Sequence, residues 1–188
     1  MTELRNLQGR ILTSEGWRRG RIRFDQKIRA IEEVADGDIG ETIIVPGFID
    51  LHVHGAAGVD LMQGGDAART VARAHVRHGT TALLGTTMTA AEPDIVHALR
   101  GLATAIAEPD PDAARVLGVH LEGPFISPQR LGAQLPLTVE ATLESVQRLH
   151  ALAPIQVLTL APEIGSHNEL IPQLSAMGIR VQLGHSAG

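Results

Sequence analysis

Two rhythms of apolar and polar residues divide the chain. Up to about residue 45, "LQGRILT", "RGRIRFD" and "KIRAIEE" alternate apolar and polar positions, the period-two signature of half-buried strands. Gly16, Gly20 and Asp25 mark the turns between them, and the arginines at alternate positions form a solvated strand face. After Pro46 the rhythm changes. "GFIDLHV", "TTALLGTT", "RVLGVHLEG", "IQVLTLAP" and "IRVQLGHS" are near-continuous apolar runs, which read as strands buried on both faces.

Helical patterns lie between these runs. "DAARTVARAHVRHG" stops at Gly79, and "EPDIVHALRGLATAIA" carries Pro93 in its first turn. "TVEATLESVQRLHALA" starts with Thr138 as its cap, and "SHNELIPQLSAMG" runs from Ser166 to Gly178. Repeated strand–helix–strand units give a parallel sheet. No linker, low-complexity stretch or internal repeat interrupts them.

An open doubly wound sheet and a closed barrel both fit this alternation. The polar residues decide between them, because they gather where strands end: His52 and His54, Thr86 and Thr87, Glu122, Glu163 and His185. In a parallel barrel all strand ends meet at one mouth, where active sites are built. An open sheet would instead carry a glycine-rich phosphate turn after its first strand, and none stands there. The expected fold is therefore α/β, a TIM-type barrel over 46–188 preceded by part of a small β-sandwich-like domain over 1–45. A (β/α)8 barrel takes about 250 residues, so five of its eight units are expected in this stretch.

Composition narrows the function. With 188 residues and 44% of them hydrophobic, the chain can bury a substantial core. The net charge of -5 is mild, and no basic block or aromatic platform points to nucleic acid. The absence of cysteine excludes disulfides and thiolate metal sites. The start, "MTELRNLQGRILTSEG", is too charged for a secretory signal, and no apolar run reaches membrane-spanning length, so a cytoplasmic protein without a membrane partner is expected. Lys27 is the only lysine among 16 basic residues and sits in no suitable motif. Schiff-base and phosphate-loop lysine chemistry drop out.

The candidate chemistry lies in "VPGFIDLHVHG". A strand alternates its side chains, so His52 and His54 share a face with Asp50. Two converging imidazoles suit a divalent metal, and the pair alone fits equally well two partly exposed histidines at a strand end. "GVHLEGPF" repeats the design, with Glu122 last before the Gly123–Pro124 break and His120 one layer deeper as a hydrogen-bonded core residue. "VQLGHS" brings His185 to a third strand end, and three strand ends with ligand types favour a nitrogen–oxygen metal site for zinc or iron. His75, His78, His97, His150 and His167 read as solvated residues without chemistry.

"PGFIDLHVHG", "HLEGPFISPQRLGA", "LTLAPE" and "LGHS" together resemble, in order, the N-acetylglucosamine-6-phosphate deacetylase family of metal-dependent amidohydrolases. The resemblance implies Glu122 and His185 as metal ligands, with His52 and His54 at a second metal position and Glu122 bridging the two. It implies one or two zinc or iron ions, an amino-sugar phosphate substrate, and a homodimer for the full-length parent. Gly132 and Ala133 fall in a loop that contacts the sugar through its backbone. Gln134 stands where that family usually has histidine, and it can still hydrogen-bond a hydroxyl. The family's general acid/base aspartate falls beyond the equivalent of Gly188, so the 188-residue chain is expected to be inactive alone, with no catalytic residue of its own. Two alternatives stay open: an amidohydrolase acting on a cyclic amide or dipeptide, and a half-barrel that binds metal without catalysis.

Overall fold

A computed structural model describes residues 3–34 and 40–188; parts of the expected N-terminal domain, residues 1–2 and 35–39, lie outside the described residues. The chain forms two compact units, Met1–Gly47 and Phe48–Gly188.

In the first unit, strands β1 (Arg5–Thr13), β2 (Gly16–Phe24), β3 (Ile28–Glu33) and β4 (Ile43–Ile44) form one sheet in the order β3-β2-β1-β4. β1 and β2 pair antiparallel from Arg5↔Phe24 to Thr13↔Gly16, and β4 joins β1 in parallel. The alternation seen in the sequence puts Ile11 and Ile22 into the buried side. Gly20 is not a turn residue: it lies inside β2, where a Cβ would stand 2.4 Å from the Glu32 carbonyl oxygen. Glycine there answers a close backbone approach rather than a reversal.

The second unit is built on five parallel strands. They are β5 (Phe48–Val53), β8 (Thr80–Thr86), β9 (Arg115–Glu122), β10 (Ile155–Leu160) and β11 (Arg180–Leu183), in the order β11-β10-β9-β8-β5. The two-residue strands β6 (Gly55–Ala56) and β7 (Val59–Asp60) form a small hairpin after β5. Helices α1 (Ala67–Val76), α2 (Glu92–Ala107), α3 (Leu143–Leu152) and α4 (His167–Ala176) connect the strands. Among the described residues no helix is long and apolar enough to cross a membrane.

The core sits between the helices and the sheet. Val71 of α1, Leu99 and Leu102 of α2, Leu149 of α3 and Leu174 of α4 join Leu83, Leu121, Leu158 and Leu160 of the sheet in one buried cluster. Each such side chain contributes about 1.5–3 kcal/mol by leaving water. The outermost strands depart from the expected burial on both faces. Phe48, Ile49 and Leu51 of β5 are exposed, as is Leu183 of β11, because each strand has a neighbour on one side only.

Two expectations about the helices change. α3 begins at Leu143, not near Thr138, and its cap is Thr142: the Thr142 hydroxyl accepts the Ser145 N–H, and the Ser145 hydroxyl oxygen accepts the Thr142 N–H. Residues 139 and 141 are claimed elsewhere, since Val139 donates its N–H to the Pro124 carbonyl and Ala141 donates to the His167 ring. Those tertiary bonds override the helix-forming local sequence. His167 is not solvated either. It is fully buried, with Nε2 accepting from Ala141 at 2.7 Å and Nδ1 facing the Ala161 carbonyl at 2.8 Å.

Candidate metal centre

Glu122 ends β9, the middle strand, and three imidazoles reach it from both edges of the sheet. His52 on β5 and His54 just beyond it come from one edge; His185, two residues past β11, comes from the other. Strands in a sheet lie about 4.8 Å apart, so each edge strand is about 10 Å from β9 along the sheet. Side chains from both edges meet over the middle strand only if the sheet curls towards them, as it does in a barrel wall.

The distances are short. His54 Nε2 lies 3.1 Å from Glu122 Oε2, His185 Nε2 3.4 Å from Oε1, and His52 Nε2 3.9 Å from Oε1. Ligand atoms of His52, His54 and Glu122 all fall within 4.8 Å of one another. The carboxylate is buried while the His52 ring is nearly half exposed, so the cluster opens outward from a buried anion.

Charge follows from this crowding. Burial alone would raise the Glu122 carboxyl, but the hydrogen bond from His54 and the fields of His52, His54 and His185 hold it below its ordinary value. The same hydrogen bond to Glu122 raises His54, against the opposing effect of burial. Nitrogen and oxygen donors gathered on one ionised carboxylate, with no thiolate in the chain, are a donor set that could hold a divalent cation.

Neighbouring groups aim the rings. A carbonyl only accepts, so His185 Nδ1 donates to the Arg130 carbonyl oxygen at 2.8 Å, leaving the Nε2 lone pair towards Glu122. Ser127 N–H holds the His185 carbonyl at 2.9 Å, and His185 takes a left-handed backbone, φ 51°. His120 is closed to ligation in this arrangement. Its Nδ1 donates to the Leu51 carbonyl at 3.1 Å, and its Nε2 accepts from the Thr159 hydroxyl at 2.7 Å. Burial pushes its pKa down, which keeps the ring neutral, and its edge packs against His52 with centroids 4.9 Å apart.

The loop expected to touch substrate lies against this centre. A Cβ on Gly132 would contact His185 Cε1 at 3.5 Å, and Ala133 leads into Gln134, which is buried. Gln134 Nε2 donates to Glu122 Oε2 at 2.8 Å, and its Oε1 accepts the Thr89 N–H at 2.6 Å. Glu163 is not among the groups facing Glu122; its carboxylate accepts from Ser186 and Ala187 instead. Sequence reasoning missed Ser127 and Arg130 because they act through backbone atoms, which leave no residue-type signal. Thr86 stands at a strand end as the sequence predicts, but its partner is set only by folding: its hydroxyl accepts the Val53 N–H between the two histidines.

Comparison with known proteins fits the geometry. Residues 43–169 match the model of the amidohydrolase family. Human N-acetylglucosamine-6-phosphate deacetylase is 36% identical over 95% of this chain and 46% of the relative. An Escherichia coli O157:H7 N-acetylgalactosamine-6-phosphate deacetylase is 38% identical over 95% and 49%. The N-acetylglucosamine-6-phosphate deacetylase from Thermotoga maritima superposes with a TM-score of 0.85 at 29% identity, over 97% of this chain and 49% of that one. A mutant of the Mycobacterium smegmatis enzyme, solved in complex with N-acetyl-D-glucosamine-6-phosphate, also gives 0.85, at 26% identity, over 99% and 51%. The chain thus spans about half the length of the relatives it matches. With five parallel strands, a histidine pair closing the first and a carboxylate closing the third, the chain belongs to the amidohydrolase family.

Proposed function

We propose that this stretch is the metal-holding front half of a deacetylase barrel that hydrolyses the acetamide of N-acetylglucosamine 6-phosphate to glucosamine 6-phosphate and acetate. Residues 46–188 supply the first part of its catalytic barrel and 1–45 part of a small β domain. The observation that carries the reading is the convergence of His52, His54 and His185 on Glu122, from strands at both edges of the sheet. The names of the relatives supply the substrate class.

In this reading Glu122 and His185, with the pair His52 and His54, hold one or two zinc or ferrous ions. Bound there, a divalent ion supplies Lewis acidity towards an amide carbonyl and a lowered pKa for water. The chain's own residues hold and aim. Glu122 supplies the anionic oxygen, Arg130 and Ser127 fix the His185 ring, and Thr86 fixes the strand between His52 and His54. Gly132 and Ala133 offer backbone contacts to the sugar, while in the same loop the Gln134 amide is turned to Glu122 and Thr89. The proton-shuttling aspartate that the resemblance implies belongs to the longer protein, and the activity is proposed for that protein, with a homodimer as its assembly.

Acetate release tests this. N-acetylglucosamine 6-phosphate and its galactosamine epimer are given to the metal-loaded protein, alone and extended by the further barrel strands of a relative. Turnover by the extended protein, abolished in Glu122→Ala, is the expected result. Hydrolysis by that protein of a cyclic amide or a dipeptide in place of either sugar would overturn it.

A further inference from the structure

We infer that Gln134 is a positioning residue for the metal centre: its side-chain amide fixes which oxygen of Glu122 faces which imidazoles. This rests on the metal reading above. The orientation of the amide follows from chemistry. The Thr89 N–H can only donate, so it must meet Gln134 Oε1, at 2.6 Å; the ionised Glu122 can only accept, so it must meet Nε2, at 2.8 Å. The Thr89 contact thereby turns the NH2 group onto Glu122. A flipped amide would lose both bonds.

The effect on Glu122 is asymmetric. Oε2 takes Gln134 and His54, whereas Oε1 faces His52 and His185. A carboxylate with one oxygen committed in this way cannot rotate freely about its terminal bond. Gln134 and Glu122 are both buried, so water is poorly placed to substitute for a lost partner. Partners of this kind behind a ligand are worth about 10–100-fold in metal affinity. Gln134 also sits in the loop whose Arg130 carbonyl and Ser127 N–H fix His185. One loop therefore sets two of the ligand groups.

The test is a titration of the full 188-residue protein with Co2+ and Zn2+, following affinity and the visible Co2+ absorption. Gln134→Met keeps the side chain's length and removes both polar partners. We expect about 10–100-fold weaker binding and an altered Co2+ spectrum, since Glu122 would sit differently. Affinity within threefold of wild type with an unchanged spectrum would overturn the inference and leave Gln134 as a cap for Thr89. If wild type binds neither ion, the metal reading itself fails, a separate outcome. Should Gln134→Met not fold, the wild-type protein still decides: the Gln134 side-chain amide resonance should shift on adding Zn2+, and an unmoved resonance would overturn the inference.

Discussion

The backbone N–H of Ala141 points into the buried ring of His167, donating to Nε2 at 2.7 Å. Nε2 is therefore unprotonated, and Nδ1 must carry the hydrogen that meets the Ala161 carbonyl at 2.8 Å. The ring ties the segment ahead of α3 to the segment after β10. His167→Phe preserves a ring but leaves a buried donor and a buried acceptor unpaired, at about 1–3 kcal/mol each. We expect a loss of about 2–4 kcal/mol in urea unfolding. A variant as stable as wild type would show that the two bonds contribute nothing net.

Arg73 of α1 reaches Asp110, ahead of β9, with Nε at 2.6 Å. The Asp112 N–H is the largest cause that lowers the Asp110 carboxyl, burial opposes it, and the Arg73 hydrogen bond adds to the lowering. A carboxyl lowered on folding contributes stability above its ordinary pKa, 3.8, and loses that contribution as pH falls through the lower folded value. The tie from α1 should therefore persist at neutral pH and loosen only in acid. Carboxyl NMR should show Asp110 titrating below its ordinary value, with the midpoint rising in Arg73→Gln. An unmoved midpoint would leave the lowering to the Asp112 N–H and the charge of Arg69.

The two outer strands of the five-stranded sheet expose Ile49 and Leu51 on β5 and Leu183 on β11. Unpaired strand edges lined by apolar side chains template association with other chains. The 188-residue protein should therefore associate as concentration rises, and Ile49→Lys with Leu183→Lys should lower its mean mass in light scattering. A monodisperse, cooperatively melting wild-type monomer would count against this.

How far the sequence reveals this structure depends on the range of the interactions involved. The five parallel strands, the bounds of α2 and the shared face of His52 and His54 follow from period and local residue type. Thr138 reads as a cap because its neighbours favour helix, yet the Pro124 carbonyl and the His167 ring, distant in sequence, hold that segment out of the helix. His167 reads as solvated because a histidine opening a polar helix usually is. Its two partners are backbone atoms, which no residue type announces. Gln134 shows the same limit: its polarity is legible, but its choice of Glu122 and Thr89 is made only by folding.

The two sides of the candidate centre should differ in their hold on metal. His52, His54 and Glu122 bring their ligand atoms within 4.8 Å of one another from two strands of the sheet. Three such ligands with one open position are the catalytic type of divalent site. His185 adds its Nε2 at 3.4 Å from Oε1 of the same carboxylate, so among the described residues a position built on its side rests on Glu122 and His185. Losing one ligand of three leaves two, whereas losing His185 leaves the trio intact. After dialysis with zinc, His54→Ala should therefore lose most of its metal and His185→Ala keep most of it, with Glu122→Ala losing it from both sides. Metal analysis of the dialysed proteins gives the ranking directly. If His185→Ala is instead the emptier protein, the principal position is the one His185 shares with Glu122, and the His52–His54 pair serves to position the carboxylate.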